Sequence, residues 1–159
     1  MTRPFRVLVA NRGEIALRII RACHEEGLEA VAVYSEADRL SPHVRAADFA
    51  VALGAPAPGE SYLRVDKLLE AARVSGATAV HPGYGFLAER AHFAKAVTDA
   101  GLVFIGPPAE AITAMGDKTE ARRRMAAAKV PIVPGLTLPI TDAKAAAKAA
   151  DEIGYPILV

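Results

Sequence analysis

Four short apolar runs, at residues 5–10, 30–34, 78–81 and 102–105, alternate along this chain with amphipathic stretches of helical period. Runs this short suit strands, and continuous apolarity suits strands covered on both faces. The alternation therefore predicts an α/β fold, a doubly wound parallel sheet with helices on both sides. A shorter run at residues 48–53 reads as a further strand. A helix is expected at residues 14–26, where Ile15, Ile19 and Cys23 share one face and Gly27 supplies the C′ stop. A second is expected to be capped by Ser61, with Tyr62, Val65, Leu68, Leu69 and Ala72 as its apolar stripe and Gly76 as its end. A third spans residues 87–100.

After Gly106-Pro107-Pro108 the pattern changes. Two helical segments, at 109–115 and 117–129, lead into the Pro-rich stretch Pro131-Ile132-Val133-Pro134-Gly135. An alanine-rich helix at 141–153 follows, capped by Thr141 and closed by Gly154. The last residues, Tyr155-Pro156-Ile157-Leu158-Val159, read as a lone strand with no partner among the preceding helices. The expectation is that the chain ends just inside a second domain.

The hydrophobic fraction of 52% can fill a core, and a net charge of +1 gives no reason to expect nucleic acid or an anionic membrane as partner. A single cysteine, Cys23, excludes an intramolecular disulfide and a multi-cysteine zinc site. The chain runs from Met1 straight into a strand, without a signal peptide or long apolar span, so a soluble, cytoplasmic protein is expected.

Ligands of open α/β sheets bind beyond the carboxyl ends of the strands. Two loops lie there. The first, Asn11-Arg12-Gly13-Glu14, sits at a helix N-terminus, where an anion could bind. It has one glycine and no Gly-x-Gly-x-x-Gly, and Glu14 already satisfies the helix dipole. A tight turn with an internal Arg12–Glu14 network is the favoured reading. The second loop is His81-Pro82-Gly83-Tyr84-Gly85-Phe86-Leu87. Glycine on both sides of Tyr84 leaves room for a planar ligand against its ring. The alternative has Tyr84 and Phe86 plugging the core, and the residues alone leave the two even. His81 reads as a hydrogen-bonded structural histidine.

A third candidate is Gly116-Asp117-Lys118. Asp117 can cap the next helix, with Glu120 as its capping-box partner. Lys118 then sits at the electropositive end of a helix, an unfavourable place that a bound phosphate would reverse. A solvated lysine leads on residues alone. The run Arg122-Arg123-Arg124 reads as a solvated or ion-paired face, and Cys23 as a buried hydrophobe. His24, His43 and His92 have no metal-ligand spacing, and no nucleophilic triad or carboxylate pair is legible.

Taken in order, the segments Val9-Ala10-Asn11-Arg12-Gly13-Glu14-Ile15-Ala16, Ala37-Asp38, His81-Pro82-Gly83-Tyr84-Gly85-Phe86-Leu87, Phe104-Ile105-Gly106-Pro107, Met115-Gly116-Asp117-Lys118, Val133-Pro134-Gly135 and Gly154-Tyr155-Pro156 resemble the biotin carboxylase family over the whole chain. The resemblance implies a Rossmann-like N-terminal domain at residues 1–114, then a linker and the opening of an ATP-grasp domain at 115–159. It implies a ligase of acyl-CoA, pyruvate and related carboxylases, in which ATP phosphorylates bicarbonate to carboxyphosphate and biotin on a carrier protein is carboxylated. Lys118 is then similar to an ATP-binding lysine, Tyr84 and Gly85 to a biotin-proximal loop, and Arg21 and Glu25 to homodimer contacts. The full-length enzyme would use ATP, Mg2+ (or Mn2+) and biotin, with a biotin carboxyl carrier protein and a carboxyltransferase component as partners. Metal-binding glutamates, a bicarbonate-binding arginine and a general base are implied downstream, so no catalytic or metal-ligating residue is assigned here. The 159-residue chain alone is expected to be inactive and to bind none of these cofactors. Two other readings stand beside this one: a stand-alone, non-catalytic binding module, and the start of another ATP-grasp ligase. The final acceptor of the carboxyl group is not legible.

Overall fold

A computed structural model describes residues 5–133, 135, 140 and 142–157. Pro134, Thr141, Leu158 and Val159, which carry part of one motif, an expected cap and the end of the expected terminal strand, lie outside the described residues.

Five strands, β1 (Arg6–Val9), β2 (Glu29–Ser35), β3 (Phe49–Gly54), β4 (Ala79–His81) and β5 (Val103–Phe104), form one parallel sheet in the order β3-β2-β1-β4-β5. Between them run α1 (Gly13–Glu25), α2 (Pro42–Ala46), α3 (Val65–Ser75) and α4 (Ala91–Asp99). Side chains of β1 alternate between two cores. Val7 and Val9 pack with Ile19, Ile20 and Cys23 of α1. Leu8 and Ala10 pack with Leu68 of α3 and with Phe93 and Val97 of α4. The strands are apolar on both faces because both faces are covered. Fully burying one such side chain stabilises by about 1.5–3 kcal/mol.

From β1 the sheet grows through β2 to β3, and then α3 carries the chain back to β4 on the other side of β1. Right-handed crossovers require that reversal to put α3 and α4 on the face opposite α1. The loops after β1 and β4 therefore diverge to opposite faces and leave a crevice at the carboxyl edge, where open sheets of this kind bind ligands.

Residues 155–157 hold a bend and not the start of the expected terminal strand, and three elements before residue 112 differ from expectation. Ser61 does not cap α3: its hydroxyl donates back to Ala57 O at 2.8 Å across a 3-10 turn at Pro58–Glu60, and the helix starts four residues later. Tyr62 thus precedes the helix and is fully buried. The third helix begins at Ala91 rather than 87, because Phe86 has φ +46° and the chain turns before a helix can start. A short helix, α2, appears with Pro42 in its first turn, where the missing N–H costs nothing.

Thr113–Val159 form a second compact unit. It holds α6 (Lys118–Ala127), α7 (Ala143–Ile153) and the C-terminal half of α5 (Ala109–Gly116). Asp117 caps α6, accepting from Glu120 N at 2.9 Å. The capping box is only half formed, because the Glu120 carboxylate pairs instead with Arg123 and Arg124. Asp142 caps α7 by accepting from Ala145 N at 2.8 Å, and Gly154 closes it. Among the described residues, no helix is long and apolar enough to cross a membrane.

Candidate functional site

β1 and β4 are hydrogen-bonded neighbours, so the loops that leave them emerge side by side. Asn11 joins the two. It is 3% exposed, its Nδ2 donates to Pro82 O at 2.8 Å and to Tyr84 O at 2.9 Å, and its Oδ1 accepts from Arg12 N at 2.9 Å. An amide is needed here, because one side chain must donate twice and accept once. Gly83 lies against it at φ +69°, and a Cβ there would stand 2.8 Å from Asn11 Nδ2. That position excludes any larger residue on both conformation and space.

His81 ends β4. Its Nδ1 accepts from Gly83 N at 3.0 Å, which leaves the proton on Nε2. Burial lowers its pKa below the usual histidine value. It is therefore a neutral structural group that shapes the turn, as its sequence position suggested.

Tyr84 and Phe86 part company. The Tyr84 ring is 60% exposed, so it is no core plug. Its hydroxyl donates to Glu14 Oε1 at 2.5 Å, and that bond, with the carboxylate's charge, raises the phenol pKa. Phe86 turns inward against the core and stacks on Tyr62, with centroids 5.7 Å apart and planes 6° from parallel. Gly85 between them has φ +63°, and a Cβ on it would meet nothing within 4 Å. The result is a shallow cleft of about 350 Å3 between the two loops, walled by Arg12, Glu14, Ile15, Tyr84 and Phe86.

The expected Arg12–Glu14 network is replaced by two separate links. Glu14 holds Tyr84, and Arg12 turns the other way, to Asp38 Oδ2 at 3.4 Å. Asp38 is a hub the sequence reading left without a role. It accepts from the hydroxyls of Tyr62 (2.7 Å), Ser35 (3.2 Å) and Ser41 (3.4 Å). Burial would raise its pKa, but the bonds from Tyr62, Ser35 and Arg12 outweigh that and hold the carboxyl below its usual range. Tyr62 pays the complementary shift: burial, then the Asp38 carboxylate, push its hydroxyl up to about 12. The one signal for this hub was Ala37-Asp38 directly after a strand, in a segment that shows no periodicity.

Lys118 lies in the second unit, exposed in the first turn of α6, and makes no ion pair or hydrogen bond with the described residues. Arg21 and Glu25 are exposed on α1, away from its buried face of Ala16, Ile19, Ile20 and Cys23. Arg122 donates to Val133 O at 2.5 Å, while Arg123 and Arg124 bind Glu120, so the arginine run is locally paired. Burial and the Asp48 charge hold the buried Cys23 thiol above its usual pKa, which leaves it unreactive. Among the described residues, no group of three or more His, Cys, Asp or Glu could hold a metal ion.

Residues 4–112, which include both loops of the cleft, match the family described as biotin carboxylase, N-terminal domain. The chain belongs to the biotin carboxylase family. Residues 117–159 match a second family, described as carbamoyl-phosphate synthase L chain, ATP binding domain. Biotin carboxylase 1 of Bacillus subtilis is 51% identical over 97% of this chain and 34% of its own length. Biotin carboxylase of Pseudomonas aeruginosa is 52% identical over the same shares. Among solved structures, the biotin carboxylase domain dimer of Hydrogenobacter thermophilus 2-oxoglutarate carboxylase, in complex with MgADP, ADP and bicarbonate, superimposes with a TM-score of 0.86. It is 46% identical, and the match covers 97% of this chain and 34% of that one. The chain thus spans about a third of the length of the biotin carboxylases it matches.

Proposed function

We propose that this chain is the N-terminal part of a biotin carboxylase, an ATP-dependent ligase that carboxylates carrier-bound biotin with bicarbonate. The observation that carries the reading is an open cleft at the sheet's reversal point, walled by the very loops that the family match contains. The carboxylases among its relatives favour it over a non-catalytic module or another ATP-grasp ligase. On this reading residues 1–114 are the nucleotide-fold domain and 115–159 open the ATP-grasp domain.

Tyr84 and Gly85 fit a planar ureido ring. The tyrosine offers an exposed face, its hydroxyl is tied back by Glu14, and the glycine presents bare backbone with open space above it. Lys118 fits a nucleotide phosphate, as an exposed ammonium at a helix N-terminus with no competing ion pair among the described residues. ATP with Mg2+ (or Mn2+) would supply the phosphoryl group that activates bicarbonate, and its metal ligands would come from outside this chain. Without them phosphoryl transfer lacks its electrostatic clamp, so the chain alone should be inactive. Arg21 and Glu25, exposed on α1, are assigned to a homodimer contact. A biotin carboxyl carrier protein and a carboxyltransferase would be the partners, in the cytoplasm.

Tyr84→Ala in the full-length enzyme tests the reading. Biotin-dependent turnover should fall about tenfold or more, through loss of a stacking surface and a positioned hydroxyl. Bicarbonate-dependent ATP hydrolysis without biotin should be spared. Melting temperature should hold, because the side chain is 60% exposed. Equal loss of both activities would remove Tyr84 from the biotin site.

A further inference from the structure

We propose that Phe86 is the positioning residue of the Tyr84 loop, acting through a buried stack that ends on Asp38. The proposal rests on the assignment of Tyr84 to the ligand. Three of the four residues at 83–86 have positive φ: Gly83 at +69°, Gly85 at +63° and Phe86 at +46°. The glycines adopt this region without cost, but a bulky side chain rarely does. Something must hold Phe86 there.

The holding contacts come from two distant parts of the chain. Tyr62, fully buried, stacks on the Phe86 ring, with planes 6° from parallel. The Arg12 guanidinium lies over both rings, 5.4 Å from the centroid of Tyr62 and 5.5 Å from that of Phe86. Tyr62 cannot slide, because its oxygen accepts from Ser35 N at 2.9 Å and its proton goes to Asp38 at 2.7 Å. Arg12 cannot swing freely, because the same Asp38 oxygen draws it at 3.4 Å. Asp38 thus fixes the ring and the cation that together fix Phe86. With Phe86 inward, Gly85 and Tyr84 are held outward, and Tyr84 meets Glu14. The substrate-facing ring is set from below by a side chain that itself faces the core.

The test compares Phe86→Gly, which keeps the left-handed backbone and deletes the ring, with Phe86→Tyr, which keeps the ring, both in the full-length enzyme. Amide hydrogen exchange is read at Gly83 and Ala88, whose N–H groups donate to His81 Nδ1 and Gly85 O, and, as reference, at β1, and KM is measured for biotin and for ATP. In Phe86→Gly, exchange at Gly83 and Ala88 should accelerate about tenfold or more while β1 is unchanged. The biotin KM should rise about tenfold with the ATP KM within about twofold. Phe86→Tyr should restore the wild-type values. Unchanged exchange at Gly83 and Ala88, or equal acceleration in β1, would overturn the inference. So would a biotin KM that moves with Tyr84→Ala but not with Phe86→Gly. If the loop loosens and neither Tyr84→Ala nor Phe86→Gly moves the biotin KM, Phe86 still sets the loop and the assignment of Tyr84 to biotin falls.

Discussion

The cleft at the sheet edge and the first turn of α6 carry the two sets of residues assigned to ligands, and the chain treats them differently. Around the cleft every polar group is tied down from elsewhere in the sequence: Asn11 by carbonyls about 70 residues away, Tyr84 by Glu14, Arg12 by Asp38. Around Lys118 all the described contacts are local. Asp117 caps its own helix, Glu120 binds arginines three and four residues on, and α6 has no buried residue. Burial and long-range bonds fix a side chain's position, whereas a helix surface fixes only its direction. The first site is preorganised by this chain. The second presents a charge.

The comparison predicts unequal costs of mutation. Asn11→Ala removes both bonds to the second loop and strands the buried Pro82 carbonyl. It should cost about 1–3 kcal/mol, the cost of one orphaned buried group. Urea denaturation of the full-length enzyme should show a lower midpoint for this domain at unchanged slope. A loss below about 0.5 kcal/mol would mean that the two loops hold themselves and that Asn11 only fills space.

Lys118→Ala should leave stability alone, since the exposed side chain has no described partner. Its effect should be on nucleotide: losing one charge-assisted contact costs about 1.5–3 kcal/mol, so the ATP KM should rise about ten- to a hundredfold. The KM values for bicarbonate and biotin should move less. An unchanged ATP KM makes Lys118 a surface residue, and the contrast between the two sites then reduces to one site.

The sheet was legible because burial on both faces demands unbroken apolar runs, and 5–10, 30–34, 78–81 and 102–105 are such runs. The second cleft loop stood out because two glycines and two aromatics after one strand exceed what a turn needs, whereas the first, with one glycine and no aromatic, read as a tight turn. What could not be read was tertiary. Glu14 satisfies a helix dipole by its position, and only the fold shows that Tyr84 also takes it, 70 residues away. Tyr62 matches a helical stripe by spacing, but Ser61 bonds backward and delays the helix, which frees Tyr62 to stack on Phe86. Asp38 has no local partner except Ser35 and Ser41, so its link to Arg12 and Tyr62 has no signature in the sequence.

The smallest predicted effect is the acid response, and it too separates the two regions. The first has histidines held neutral. His43 is fully buried, with Nε2 donating to Val33 O at 3.3 Å and Nδ1 unpartnered. Burial lowers its pKa, the Arg12 charge adds to that, and the Val33 carbonyl and the Asp38 charge oppose it without prevailing. His81 is lowered by burial as well. A histidine whose folded pKa lies below its unfolded value binds more protons when unfolded, so its contribution is complete above about pH 6.5 and is lost as pH falls below that. Each such group contributes at most about 1.4 kcal/mol per pH unit. Asp38 adds a second phase: its folded pKa is depressed, so its contribution is present above about pH 4 and lost below. In the second unit the shifted carboxyl is Glu120, lowered by Arg124 and Arg123, so its loss begins only near pH 4.5. Between pH 6.5 and 5, then, the sheet domain should weaken while the helical unit holds. Hydrogen exchange across that interval should quicken in β1, β2 and β4 and not in α6. His43→Gln keeps a donor for Val33 O and removes the titrating nitrogen, so it should reduce the sheet's response to the part that His81 carries. A response undiminished in that variant would shift the cause wholly to His81, whose protonation takes Nδ1 away from Gly83 N and so acts on the cleft loop directly.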